Sequence, residues 1–167
     1  MTEEVKRNYL EITSLKDLKE SKKSFDGFSI VVLDPINFQL NKFFYKNVGK
    51  KHKWVDRLIW SEQKWIDYLS SSRVKTYVLK NKEDLIGFFE LNFHLEDKEV
   101  EIAYFGILEE YQNKKLGSYL LSKAIKESFS QNIKRVWLHT CSLDHENALK
   151  NYLARGMKIF KSEIIKI

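Results

Sequence analysis

The sequence predicts a single domain of the α/β (α+β) class, with a mixed, mostly antiparallel central sheet and helices on both faces. Three observations carry that expectation. The chain has 167 residues, enough for one hydrophobic core and too few for two ordinary domains. Three β-rich runs follow one another directly, separated only by turn residues, as in an antiparallel meander. After them the apolar period changes from two to 3.6 and back, the pattern of a strand-helix-strand crossover. Six glycines and one proline leave few linkers, and no repeat or low-complexity tract interrupts the domain.

Each element has its own signal. Phe28 to Leu33 (FSIVVL) is a short β-rich run closed by Asp34-Pro35, and Phe38, Leu40, Phe44 and Val48 then recur at helical spacing as far as Gly49. Ser61 reads as the N-cap of a helix carrying Trp65, Ile66 and Leu69. Val74 to Lys80 (VKTYVLK) and Leu85 to Phe93 (LIGFFELNF) flank the turn residues Asn81 to Asp84 and predict a hairpin. A second turn at Glu96 to Lys98 leads into Val100 to Leu108 (VEIAYFGIL). Leu116, Leu120, Ala124 and Phe129, with Leu121 and Ile125 beside them, predict a helix over 116–129. The strand Arg135 to Cys141 (RVWLHTC) follows, then a helix from an N-cap at Asp144 to a stop at Gly156, and Met157 to Ile167 is apolar and β-branched enough to close the sheet.

Composition excludes several classes. Apolar residues at 43% and charged residues at 31% describe a globular chain rather than a disordered one. No apolar run approaches the ~18 residues of a membrane span, and MTEEVKRNYL lacks an apolar signal core, so the expectation is a cytoplasmic protein without a membrane partner. The single cysteine, Cys141, excludes an intrachain disulfide and any multi-cysteine metal site. His52, His94, His139 and His145 show no HExxH-like spacing, and no metal is expected.

The formal net charge of +6 is concentrated. Between Asn37 and Arg73, eight basic residues (Lys42, Lys46, Lys50, Lys51, Lys53, Arg57, Lys64, Arg73) face three acidic ones (Asp56, Glu62, Asp67), a local excess of 8 − 3 = +5. Such a surface favours an anionic substrate, a phosphorylated cofactor or nucleic acid, and lysines that merely solubilise an aromatic segment read the same way. Nucleic acid is the weakest of these, because neither a recognition-helix motif nor a zinc finger accompanies the charge.

The stretch YQNKKLGSYLL, Tyr111 to Leu121, runs from a strand into a helix. The amides of Lys114 to Ser118 then lie at a helix N-terminus, where unpaired N–H groups and the positive dipole end suit a phosphate. One glycine, Gly117, also fits an ordinary strand-helix turn.

These residues carry a family resemblance. Gln112-Asn113-Lys114-Lys115-Leu116-Gly117 resembles the acetyl-CoA pyrophosphate loop of the GNAT N-acetyltransferase superfamily, Gln/Arg-x-x-Gly-x-Gly/Ala, with Lys115 where the first glycine is usual. Upstream, Glu101 stands six positions before the β-branched Ile107, itself five before Gln112, as in the family's central strand. Downstream, Asn147-Ala148-Leu149-Lys150-Asn151-Tyr152-Leu153-Ala154-Arg155-Gly156-Met157 is similar to the family's Asn-x-x-(x)-Leu-Tyr-x-x-x-Gly-Phe helix, with Met157 for the aromatic. The resemblance spans about Val74 to Lys161.

The resemblance implies a GNAT-like acyl-CoA N-acyltransferase fold, acetyl-CoA as cofactor, and transfer to an amine of a small molecule or peptide by direct attack in a ternary complex. It implies Glu101 as the base, although a solvated strand glutamate would look alike, and Tyr152 as the acid that protonates the leaving thiolate, where a core aromatic is the bland alternative. Phe105, Gly106 and Ile107 would hold the pantetheine arm and acetyl carbonyl, Gly106 helping a close approach. Gln112, Asn113, Lys114, Lys115, Leu116, Gly117 and Ser118 would hold the pyrophosphate, with Lys115 expected at negative φ, and Asn147 would hydrogen-bond the cofactor. Trp54, Arg57 and Trp60, with Trp65 and Tyr68, fall where the family walls its acceptor pocket, Arg57 or His52 orienting an anionic group. The basic segment predicts an acceptor that is neutral or anionic overall. A non-catalytic acyl-CoA-binding sensor is the alternative, and a homodimer stays open. His139, Cys141 and His145 also read as a thiol nucleophile with an imidazole base, but no oxyanion-hole signature surrounds the cysteine.

Overall fold

The computed structural model describes residues 2–130 and 132–167. Seven strands, β1 (Glu4–Ile12), β2 (Phe28–Val32), β3 (Val74–Asn81), β4 (Asp84–His94), β5 (Glu99–Ile107), β6 (Arg135–Cys141) and β7 (Lys158–Lys166), form one sheet in the order β2-β3-β4-β5-β6-β1-β7. Every neighbouring pair is antiparallel except β5 and β6. The helices are α1 (Phe38–Gly49), α2 (Glu62–Leu69), α3 (Leu116–Ser128) and α4 (Ala148–Ala154). This is the mixed, mostly antiparallel sheet that the periodicities predict. No helix among the described residues is long and apolar enough to cross a membrane.

Alternation along the strands puts helices on both faces. Leu79, Phe89, Leu91 and Ile102 pack with Leu116, Leu120, Leu121, Ala124 and Ile125 of α3 and with Tyr152 of α4. Their neighbours Val78 and Phe88 point the other way, onto Phe44 and Val48 of α1. Tyr45, Trp65, Leu69 and Val74 make a third cluster that binds α2 to the sheet. Each such fully buried side chain stabilises the fold by about 1.5–3 kcal/mol.

Capping explains several boundaries. Asn37 caps α1 by accepting from Leu40 N, and Ser61 caps α2 by accepting from Lys64 N at 3.1 Å. The helix expected from Asp144 begins later, at Ala148. Asp144 instead closes the turn behind β6, its carboxylate accepting from the Thr140 hydroxyl and from the Cys141 amide. β1 lies ahead of the first strand read from the sequence. Asn8, Leu10 and Ile12 are buried, while Arg7, Tyr9 and Glu11 fill the other face, so half of the strand looks hydrophilic.

α4 ends at Gly156, whose φ is +104°. A Cβ there would collide with the carbonyl oxygen of Asp17, and Lys19 N donates to Arg155 O beside it, at 2.9 Å. Gly156→Ala is therefore expected to destabilise the protein by roughly 1–3 kcal/mol, through a strained backbone and a forced shift of the segment 17–19. Urea unfolding monitored by tryptophan fluorescence checks this, and an unchanged midpoint contradicts it.

Candidate active site

β5 and β6 are paired over only three positions, Glu99 with Arg135, Val100 with Val136 and Glu101 with Trp137. Beyond Glu101 they part. The cause is visible in the β4–β5 register: Glu90 faces Tyr104 and Leu91 faces Ile102, which leaves Ala103 as an extra residue on β5. Such a bulge bends its strand and increases the local twist. A cavity of about 1170 Å³ opens in the gap, lined by 102–107 on one side and by Leu138, His139 and Cys141 on the other.

At one end of the gap stands the start of α3. Asn113 and Lys115 have φ of 63° and 64°, two left-handed residues that coil the loop beneath the helix. Unlike α1 and α2, α3 has no side-chain cap. The amides of Leu116, Gly117 and Ser118 have no carbonyl one turn earlier in the helix to receive them, and all three residues line the cavity. The result is an anion nest with the dipole behind it. Gln112 Nε2 donates to Ile107 O at 3.2 Å and fastens the loop to β5. Gly117 needs glycine for neither backbone nor packing, since the nearest atom to an added Cβ is Asn151 Nδ2 at 3.6 Å. Gly117 and Asn151 both line the cavity, so a larger side chain at 117 would border it.

One expectation is corrected here. Lys115 does not adopt the negative φ foreseen for it; the nest requires a left-handed residue, at a cost of roughly 1–2 kcal/mol for a side chain. Gly106 lines the cavity, and packing also demands glycine there, because a Cβ would collide with Val48 of α1. Phe105 and Ile107 line the gap, as do Asn113 and Asn147, which offers its helix no side-chain cap. Lys114 lies outside the lining, its Nζ 5.7 Å from the Tyr111 ring centre.

Glu101 sits at the fork, the last residue paired with β6, and lines the cavity. Burial pushes its carboxyl above the usual carboxylate range; Glu90 adds to this, and His94 and Arg57 pull the other way. Tyr152 enters from α4, its ring edge-on to Phe105 at 6.2 Å. Burial, with a smaller push from Asp144, raises its hydroxyl above the usual phenol value and keeps it protonated at neutral pH. The Cys141 thiol is also pushed up by burial, which disfavours the thiolate that a nucleophilic cysteine needs.

The aromatic wall departs from expectation. Arg57 turns inward and is buried, with Nη1 and Nη2 donating to Glu90 Oε1 and Oε2 at 2.8 and 3.0 Å. The Tyr68 hydroxyl donates to Glu90 Oε2 at 2.8 Å. Rings of Tyr45, Trp60, Trp65, Tyr68 and Tyr104 surround the guanidinium at 4.3 to 5.9 Å. Burial alone would lower its pKa, but the hydrogen bonds and charge of Glu90 outweigh that and raise it. Arg57 borders the cavity with its charge already committed, so it does not orient an acceptor anion. Trp54 lines the cavity, whereas Trp60 lies outside it against Trp65 and Tyr68. Among the segment's eight basic residues only Lys53 and Arg57 reach the lining, and Lys53 pairs with Glu3. The excess charge of that segment therefore lies mostly away from the cavity. Sequence reasoning missed Arg7, Asn92, Tyr104 and Asn151, all of which line the cavity. Arg7 lies on β1, whose polar outward face conceals the strand in the sequence.

The family model described as "Acetyltransferase (GNAT) family" matches residues 36–157. Among solved structures, a functionally unknown conserved protein from Staphylococcus epidermidis is similar at TM-score 0.67 and 20% identity, over 98% of this chain and 61% of that one. A GCN5-related N-acetyltransferase from Sphaerobacter thermophilus matches at TM-score 0.69 and 14% identity, over 99% of this chain and 52% of that one. An aminoglycoside acetyltransferase from an uncultured soil metagenomic sample, solved with trehalose, matches at TM-score 0.65 and 12% identity, over 78% and 88%. Identities this low show the fold alone. The chain spans about half to three fifths of the length of the first structures it matches. No curated protein matches it.

The buried pair yields a stability test. Arg57→Met strands the Glu90 carboxylate and is expected to cost about 3–5 kcal/mol, whereas Arg57→Met combined with Glu90→Leu should cost clearly less than that single change. Chemical denaturation of both variants measures it; a double variant no more stable than Arg57→Met contradicts the pairing.

Proposed function

Since the chain belongs to the GNAT acetyltransferase family, we propose that it transfers an acetyl group from acetyl-CoA to an amine of a small molecule or peptide, by direct attack of the amine in a ternary complex. The observation that carries this reading is the gap between β5 and β6, which runs from the half-buried Glu101 to the uncapped start of α3. The residues suit the cofactor, because the uncapped amides of Leu116, Gly117 and Ser118 lie in the lining of the cavity. Acetyl-CoA would supply an acetyl group activated as a thioester. The amides of Leu116, Gly117 and Ser118 would hold its pyrophosphate, with Asn113, Lys115 and Asn147 beside them, and main-chain groups of Phe105 to Ile107 would hold its pantetheine arm.

The chain's own groups divide the proton work. Glu101, with its carboxyl already pushed up by burial, is a stronger base than an ordinary carboxylate and accepts the proton of the attacking amine, directly or through one water. Tyr152 keeps its hydroxyl proton at neutral pH and gives it up where the thiolate departs. Amides facing the gap stabilise negative charge on the acetyl oxygen.

A thiol-release assay with acetyl-CoA across amine metabolites, peptides and antibiotics tests the reading. Binding of acetyl-CoA with no acetylation of any amine would favour a sensor over an enzyme. Glu101→Gln is expected to lower kcat by on the order of 10²-fold. The base works deprotonated, so wild-type kcat/KM should fall as the pH drops through the raised pKa of Glu101, and that acid limb should vanish in the variant. Tyr152→Phe should slow thiol release while leaving the affinity for acetyl-CoA nearly intact. Wild-type turnover in both variants contradicts these assignments.

A further inference from the structure

The inference concerns the acceptor and rests on the acetyltransferase reading above. On the sheet face that carries Glu101, paired residues point the same way: Glu101 lies opposite Trp137, Cys141 follows four residues along β6, and Cys141 lies opposite Arg7. Arg7 thus shares the face of Glu101 across the mouth of the gap and lines the same cavity. Two strand spacings of ~4.8 Å and four residues of ~3.3 Å put their Cα atoms roughly 16 Å apart. That separation, shortened by the reach of the two side chains, is one that a small molecule can bridge.

Among the described residues, Arg7 is a cation of this cavity with an incomplete set of partners. Its Nε is buried and has no hydrogen-bond partner. The nearest carboxylate, Glu163, stays 4.0 Å from Nη1, while Glu163 Oε1 accepts from the Tyr9 hydroxyl at 2.7 Å and Oε2 lies 3.7 Å from Lys161 Nζ. The other two strong cations of this end, Lys53 and Arg57, are held by Glu3 and Glu90. A buried guanidinium N–H without an acceptor costs free energy, and its planar fork matches a carboxylate. A dianionic phosphate would suffer more from the adjacent Glu163 than a single carboxylate does. Glu101 stands at the opposite end, suited to an amine.

We propose that the acceptor is an amino-acid-like molecule, a small amine carrying a carboxylate that sits on Arg7 while the amine faces Glu101. This places the selecting charge on β1, outside the basic segment 37–73.

Matched acceptors decide it. The thiol-release assay is run with L-amino acids and β-alanine, each against its own carboxamide, and with spermidine. The carboxylate members are expected to exceed their carboxamides by at least tenfold in kcat/KM. Arg7→Gln should raise KM for the best carboxylate acceptor tenfold or more with little change in kcat, collapsing the preference, and Glu163→Gln should preserve or strengthen it. Carboxamides or spermidine acetylated as well as the carboxylates, or a preference that survives Arg7→Gln, overturns the proposal while the acetyltransferase reading stands. An absence of both acetyl-CoA binding and thiol release with every amine overturns both. If Arg7→Gln does not fold, the matched pairs on the wild-type protein decide alone.

Discussion

The structure turns on the parting of β5 from β6 after Glu101. An extra residue, Ala103, keeps β5 hydrogen-bonded to β4 yet bends it away from β6, so one edge of a central strand is left without its strand partner. Unpaired main-chain groups inside a protein require another partner, from water or from a bound molecule, and here they face a cavity. Glu101 lies at its closed end, Tyr152 is set against Phe105 partway along, and the α3 amides stand over its open end. One irregularity of register thus brings a half-buried carboxyl, a buried phenol and the uncapped amides of a helix to one cavity.

The wall of the cavity at Arg57 is fixed by electrostatics of another kind. Arg57, Glu90 and Tyr68 form a closed hydrogen-bonded group inside an aromatic cage, tying the segment between α1 and α2 to the middle of β4. Such a group adds little net stability compared with a hydrophobic replacement, yet breaking it is costly, so it specifies one position for the segment. It also leaves Glu101 beside a neutral pair. Glu90 and Arg57 act on the Glu101 carboxyl in opposite directions, and burial remains the leading influence on it.

Much of this was legible in the sequence because the signals are local. The Ser61 cap, the helical period from Leu116 and the strand Arg135 to Cys141 each reside in a few consecutive residues, and the structure has all three. The loop from Gln112 to Gly117 was legible as a motif. What escaped depends on distant partners. Nothing near Arg57 in the chain announces that Glu90, 33 residues away, will draw it inward. Nor does anything near Gly106 announce that Val48, on α1, will pack against it. β1 hides because its outward face is charged, and with it hid Arg7. The φ of Lys115 is a property of the whole loop, where left-handed geometry was imposed on a residue type that rarely adopts it.

Calorimetric titration of acetyl-CoA into the wild-type protein and into Gly117→Val tests the central claim, that the gap between β5 and β6 under the α3 amides is an acyl-CoA site. A Cβ at position 117 comes no nearer than 3.6 Å to its closest neighbour, Asn151 Nδ2, and the variant is expected to keep the wild-type circular dichroism spectrum. The account predicts binding at micromolar acetyl-CoA for the wild type and none for the variant over the same range. A folded Gly117→Val protein that binds with wild-type affinity would contradict it and reduce the loop to an ordinary strand-helix turn.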